Sequence, residues 1–211
     1  MNAHPLEARW TGLLTALRCA PEPARHAFAA VAAAYSSPDR HYHALDHVRD
    51  VLDTATSLWG GADAPPALLL AAWLHDVVYD THAADNEERS ADHARALLRP
   101  LGIPEALLDE TARLILLTKG HRAEAGDRAG QVLLDADLAV LGADEATYDR
   151  YAAAIRREYA WVPEDRYRAG RAAVLADFLL RPRVYHTDEM YARAEPRARA
   201  NLGREIAALR P

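Results

Sequence analysis

The sequence predicts an all-α fold, and three observations carry that reading. Apolar residues recur at helical spacing along nearly the whole chain. Alanine and leucine dominate, and β-branched residues never gather in alternating runs, so no segment reads as a strand. Prolines and glycines fall where helices would start and stop. In chain order, Pro21 and Pro23 open one helix and Pro38 lies beyond its end. Gly60-Gly61 and Pro65-Pro66 bracket a loop between two more. Asp85, with Glu88 three residues on, has the pattern of a capping box opening a helix through Ala91 to Leu98. Gly102 with Pro104, then Gly120, Gly142 and Pro163, punctuate the remainder. These boundaries imply about nine or ten helices.

The chain has 211 residues, 50% of them apolar, enough for one substantial core, and no linker, repeat or low-complexity tract divides it. A single domain over residues 1–211 is therefore expected. A net charge of −6 argues against a sequence-independent grip on nucleic acid, which needs a basic surface to displace counterions. A small phosphorylated substrate needs only a local positive pocket and stays compatible, as does a homodimer. Cys19 has no cysteine to pair with, and the N-terminal sequence has no basic segment followed by an apolar run of signal length. The longest apolar run, Ala67 to Leu74, is too short to span a membrane. A cytoplasmic protein without membrane attachment is the expectation.

Three places break the apolar pattern. Leu68 to Tyr79 (LLLAAWLHDVVY) is apolar nearly all round, as in a helix buried at the centre of a domain, yet His75 and Asp76 sit inside it. A buried unpaired carboxylate costs several kcal/mol, so Asp76 should have an arginine or a metal within reach. Val132 to Leu141 repeats the conflict: Asp137 shares a face with Leu133, Leu134 and Leu141 and should point inward, while Asp135 bonds a neighbouring shell or faces solvent. The third is HYHALDHV, where His43 and His47 stack on one face if their helix begins early enough. A histidine pair at this spacing is more often surface or capping chemistry, and an inward aspartate can pair with arginine. Three helices each bringing metal-ligand types into apolar surroundings make coincidence a strained account. Imidazole with carboxylate suits borderline and hard divalent ions, whereas a structural zinc site would recruit cysteines.

The ordered set His47, His75-Asp76 and Asp137, with 28 residues across the first gap, resembles the H…HD…D signature of the HD superfamily. Six further blocks are similar to a bacterial family of predicted metal-dependent HD phosphohydrolases. They are RHYHALDH (Arg40 to His47), AAWLHDVVYD (Ala71 to Asp80), DNEERSA (Asp85 to Ala91), LTKGH (Leu117 to His121), DADLAVLG (Asp135 to Gly142) and IRREYAWVPEDRYRAGR (Ile155 to Arg171). The resemblance implies an HD-domain helical bundle with additional flanking helices and a divalent metal held by His47, His75, Asp76 and Asp137. It does not distinguish Mn, Mg, Co, Ni, Fe and Zn. Some relatives of this kind hold two metals through extra histidines. Of His82, His93 and His121, the last is the best extra candidate, and one ion is favoured over two.

A divalent ion with water at an open position activates that water and polarises a phosphoryl oxygen, so hydrolysis of a small phosphate ester or nucleotide is the expected activity. The phosphate's remaining charge needs fixed cations. Lys119, with His121 two residues on, can supply one, and it is the only lysine among 25 basic residues. In so arginine-rich a chain that lysine can also be incidental. The acids of DNEERS include Glu88, taken here as the general acid or base despite its competing capping role. Trp161, Arg168 and Arg171 could stack a base and bind phosphate, although packing is the commoner use of a tryptophan. Tyr185 and Thr187 match the family's C-terminal signature without a role derivable from sequence. Two other functions compete: a di-iron oxygenase, marked by two irons, and a non-catalytic metal-bound ligand sensor.

Overall fold

A computed structural model describes residues 5–61 and 63–210. Ten α-helices and no strand occur among them. The helices are α1 (Pro5–Ala16), α2 (Pro21–Tyr35), α3 (Leu45–Trp59), α4 (Pro66–Leu74), α5 (Asn86–Leu98), α6 (Glu105–Leu117), α7 (Arg128–Asp137), α8 (Glu145–Glu158), α9 (Glu164–Leu180) and α10 (Asp188–Leu209). A 3-10 turn over Leu138–Gly142 continues α7. No helix among the described residues is long and apolar enough to cross a membrane.

Helix α4 forms the centre because its sequence is apolar on every side: Leu68, Leu70, Ala71, Ala72, Trp73 and Leu74 are wholly buried. It packs against α3, α6 and α7. The Trp73 ring meets Trp10 of α1 edge-on at 5.3 Å and Phe28 of α2 at 6.2 Å, the arrangement aromatic quadrupoles favour. Tyr35 at the end of α2 donates its hydroxyl to the Trp73 carbonyl at 3.0 Å. The first two helices are thereby fixed to the helix that precedes the His-Asp pair.

Helix α4 stops at Leu74, earlier than its apolar pattern suggests. His75 still donates its backbone N–H to Ala71, but Val77 bonds the Leu74 carbonyl in a tighter turn. The Asp76 and Val77 carbonyls, left open past the helix end, are taken by Arg40 at 2.6 and 3.0 Å, and the same guanidinium donates to the His43 carbonyl at 3.0 Å. His75 and Asp76 thus sit at the helix terminus rather than inside the helix. Helix α3 likewise begins only at Leu45, so His43 lies ahead of it, off the helical face that carries His47. The capping box is also absent: Asp85 precedes α5 but its side chain caps nothing, and Glu88 instead pairs with Lys119.

Asp135 is fully buried and neither faces solvent nor joins the metal-ligand cluster. Its carboxylate accepts the backbone N–H groups of His186 and Thr187, both at 2.7 Å, and the Thr187 hydroxyl at 2.6 Å. Thr187 in turn caps α10 by accepting from Met190, and Tyr185 donates its hydroxyl to the Leu138 carbonyl. The segment left without a role by its sequence therefore locks α10 onto α7 and the 3-10 turn. Gly142 allows that approach, since a Cβ there would lie 2.7 Å from the Ala194 Cβ and 2.8 Å from the Tyr185 hydroxyl. Burial pushes the Asp135 carboxyl above its ordinary pKa, against the pull of these donors. Asp135→Ala leaves the donors without an acceptor and is expected to cost about 2 kcal/mol. Thermal melting would register that as a fall of roughly 4–8 °C in Tm, and an unchanged Tm would contradict the locking role.

Candidate metal centre

Each ligand of the predicted set is delivered by a helix end or a buried helical face. His47 lies on the first turn of α3, His75 and Asp76 follow the last residue of α4, and Asp137 closes α7. The packing of α4 against both α3 and α7 brings them together. One ligand atom from each lies within 4.8 Å of all the others, and these four form the only such group among the described residues. His47 Nε2 is 3.2 Å from His75 Nε2 and 3.1 Å from Asp137 Oδ1. His75 Nε2 is 3.1 Å from Asp76 Oδ2 and 3.4 Å from Asp137 Oδ1. Ligands about 2.1 Å from a common ion are spaced in this range.

The donor set fits a divalent cation on its own chemistry. His75 Nδ1 lies 3.1 Å from the Ala72 carbonyl, which accepts its N–H and leaves the Nε2 lone pair aimed at the cluster, the orientation ligating histidines use. Two buried imidazole nitrogens and two carboxylates converge on one point, and a shared cation would relieve the repulsion among them. Without one, protons substitute. Burial opposes charge on His75, but Asp76 and Asp137 raise its pKa well above the ordinary value. Burial likewise works against ionised Asp76 and Asp137, yet the facing imidazoles hold both below the usual carboxylate range.

His121 joins from the turn after α6. Its Nε2 lies 2.9 Å from Asp137 Oδ2, the oxygen facing away from His47, so it orients that carboxylate. The residue is held at φ 48°, left-handed backbone that costs a non-glycine residue about 1 kcal/mol or more. Arg181 holds the strained turn by donating to the His121 carbonyl at 2.9 Å.

His43 is not a member of the cluster. Its Nδ1 lies 2.7 Å from Glu158 Oε2 and its ring stacks on Tyr79 at 4.1 Å. Glu158, at the C-terminal end of α8, is 5% exposed. Its Oε1 accepts the backbone N–H groups of His41 and Tyr42, both at 2.7 Å, and of His43 at 3.0 Å, while Oε2 also accepts the Tyr79 hydroxyl at 3.1 Å. Sequence reasoning missed this carboxylate. Its signal was an acid at a helix C-terminus, where the dipole disfavours negative charge and compensation is required.

The cluster opens into a cavity of about 870 Å³ lined by residues that include His43, Asp76, Lys119, His121, Arg171 and Asp137. Lys119 lies on the exposed rim, paired with Glu88. Glu88 does not line the cavity, whereas Asn86 and Glu87 do. The hydrogen bond from Lys119 holds the Glu88 carboxyl below its ordinary pKa, which keeps it ionised and unsuited to protonating a leaving group at neutral pH. Arg168 is bound to Glu164 away from the cavity, and Arg171 reaches it while held by Glu205. Trp161 is 50% exposed, not packed inside as its residue type suggests. It stacks on His82 at 3.9 Å and donates to the Thr81 hydroxyl, joining the loop after α8 to the loop before α5. His82 and His93 lie outside the cluster. No protein-family model, curated protein or solved structure matches the chain.

Proposed function

We propose that the chain is a metal-dependent phosphohydrolase that cleaves small phosphate esters. The observation that carries this reading is a two-histidine, two-aspartate cluster at metal-ligand spacing whose Asp76 and Asp137 line an open cavity that also holds Lys119 and Arg122. The resemblance of the sequence blocks to HD phosphohydrolases supports it. His47, His75, Asp76 and Asp137 would hold one divalent ion. Such an ion, when bound, supplies a Lewis acid for a phosphoryl oxygen and lowers the pKa of water.

The chain's own residues do the rest. His121 fixes the free oxygen of Asp137 so that the carboxylate keeps its direction. Glu158 fixes the His43 ring in the cavity wall, where it can hydrogen-bond a phosphoryl or leaving-group oxygen. Lys119 and Arg122 place positive charge beside the phosphoryl group. In the reaction, a water oxygen bonds to phosphorus as the ester P–O bond breaks, and the proton that the water gives up passes through solvent to the departing oxygen, which leaves as the alcohol.

The test is metal content per chain after purification without chelator, followed by assay of phosphomonoesters with the Mn²⁺-reconstituted protein. About one ion per chain, with inorganic phosphate released, supports the reading. Two irons with oxygen-dependent turnover, or metal binding without any turnover, overturns it. Lys119→Ala separates binding from folding: loss of an exposed ion pair is worth under about 1 kcal/mol of stability. Loss of a phosphate contact is expected to raise KM roughly tenfold, since a charge-assisted hydrogen bond is worth about 1.5 kcal/mol or more. An unchanged KM would identify the lysine as incidental.

A further inference from the structure

The two sides of the cavity differ in chemistry. The polar side comes from the α4 terminus, the α5 entry and the turn after α6, through residues such as Asp76, Glu87, Lys119 and Arg122. The other side comes from the 3-10 turn, α8 and α9 and their flanks, and it presents Leu141, Tyr151, Ile155, Tyr159, Val174 and Phe178, together with Arg171 and an Asp177–Arg181 ion pair. Val174 is 52% exposed on α9 while lining the cavity, so a β-branched apolar side chain faces space that a ligand would fill.

The cavity's cations are mostly committed elsewhere. Arg171 reaches the apolar side, but Glu205 holds its Nε at 2.8 Å and its Nη2 at 3.2 Å. Arg181 is bound to Asp177 and to the Gly120 and His121 carbonyls, while Lys119 pairs with Glu88 and keeps further N–H donors for one phosphoryl group. Arg122 alone among the lining cations makes no hydrogen bond or ion pair among the described residues, although it shares the field around Asp177. A divalent ion would offset the charges of Asp76 and Asp137. The remaining positive charge suits one phosphoryl group, and a chain of phosphates would meet no further free cations.

We infer that the site takes phosphate monoesters of apolar alcohols, with the phosphoryl group at the metal ligands and the alkyl or aryl portion against α8 and α9. The inference rests on the phosphomonoester reading and narrows it. The polar groups of that wall are engaged within the protein, Arg171 by Glu205, Asp177 by Arg181, and the Tyr151 and Tyr159 hydroxyls by Arg171 and Tyr79, whereas each methylene the wall covers is removed from water.

The experiment is calorimetric binding of n-alkylphosphonates, ethyl to octyl, to the Mn²⁺-loaded protein, with 2-aminoethylphosphonate as a charged-tail match for propylphosphonate. Their C–P bond prevents turnover. Affinity is expected to rise about threefold per added methylene until the wall is covered, with propylphosphonate at least tenfold tighter than its charged match. Val174→Asn, an uncharged change at a half-exposed position where folding is spared, should flatten the series. Affinity independent of chain length, preference for the charged tail, or no binding of any phosphonate overturns the inference. The matching alkyl phosphates are then assayed for phosphate release. Chain-length-dependent binding without turnover supports the ligand class and defeats the hydrolase reading. Turnover without chain-length dependence defeats the ligand class alone.

Discussion

Replacing His75 or Asp137 by alanine is expected to lower divalent-metal affinity by at least about a hundredfold, because loss of an outer-shell partner alone costs 10- to 100-fold. The two residues sit at the centre of the ligand geometry: Asp137 Oδ1 is within 3.4 Å of both imidazole nitrogens, and His75 Nε2 is within 3.4 Å of all three other ligand atoms. Binding to the folded state alone stabilises it by about 2.7 kcal/mol when the ion is at a hundred times its Kd. For a chain of this size that raises Tm by roughly 5–10 °C. Melting curves with and without Mn²⁺ should show the rise in the native protein and at most about 1–2 °C in either variant at the same ion concentration. A variant that keeps the native rise would place the ion elsewhere.

The pH dependence of that rise has a defined sign. The carboxylates of Asp76 and Asp137 raise the His75 pKa against the effect of burial, so a proton competes for the nitrogen that would ligate the metal. Metal uptake must displace it. The Mn²⁺-induced rise in Tm should therefore shrink as pH falls through the range in which His75 holds its proton.

The helical class was legible because α4 advertises its position: a segment apolar on all sides can only be central, and its neighbours follow. The His–Asp cluster was legible for a related reason, since His75, Asp76 and Asp137 interrupt such segments and buried charge demands a partner. The ends of the elements were harder to read. The apolar pattern of Leu68 to Tyr79 continues past Leu74, but Arg40, distant in sequence, takes the carbonyls that a longer helix would have bonded itself. Asp85 and Glu88 satisfy a local capping rule that the pull of Lys119 defeats. Asp135 and Asp137 differ by two residues and point to different tasks, one binding the start of α10 and one facing the cluster. Glu158 stayed hidden because its partners lie far earlier in the chain, His41 to His43 more than 100 residues away and Tyr79 79 residues away.

Glu158→Ala is expected to destabilise the protein by roughly 3 kcal/mol, the scale of breaking a buried ion pair, and to lower Tm by about 6–12 °C. The carboxylate gathers three backbone N–H groups, the His43 ring and the Tyr79 hydroxyl at one buried point, and alanine strands them all. Burial alone would raise the Glu158 pKa, but His43 and the backbone donors overcome it and bring the carboxyl down to about 2. A depressed acid stabilises the fold fully above its unfolded value of about 4.3 and loses that contribution as pH falls toward its folded value. The native protein should therefore shed roughly 3 kcal/mol of stability over that acid range. Glu158→Gln keeps one oxygen acceptor for the three N–H groups and removes the charge and the second acceptor. It should be less destabilised than the alanine variant, with a flatter acid limb. The same acid limb in native and glutamine proteins would mean that the lost stability comes from other carboxylates. Metal affinity separates the two layers of the site: Glu158 touches none of the four ligands by hydrogen bond, so Glu158→Gln should bind Mn²⁺ within a few-fold of the native protein while the His43 ring loses its anchor.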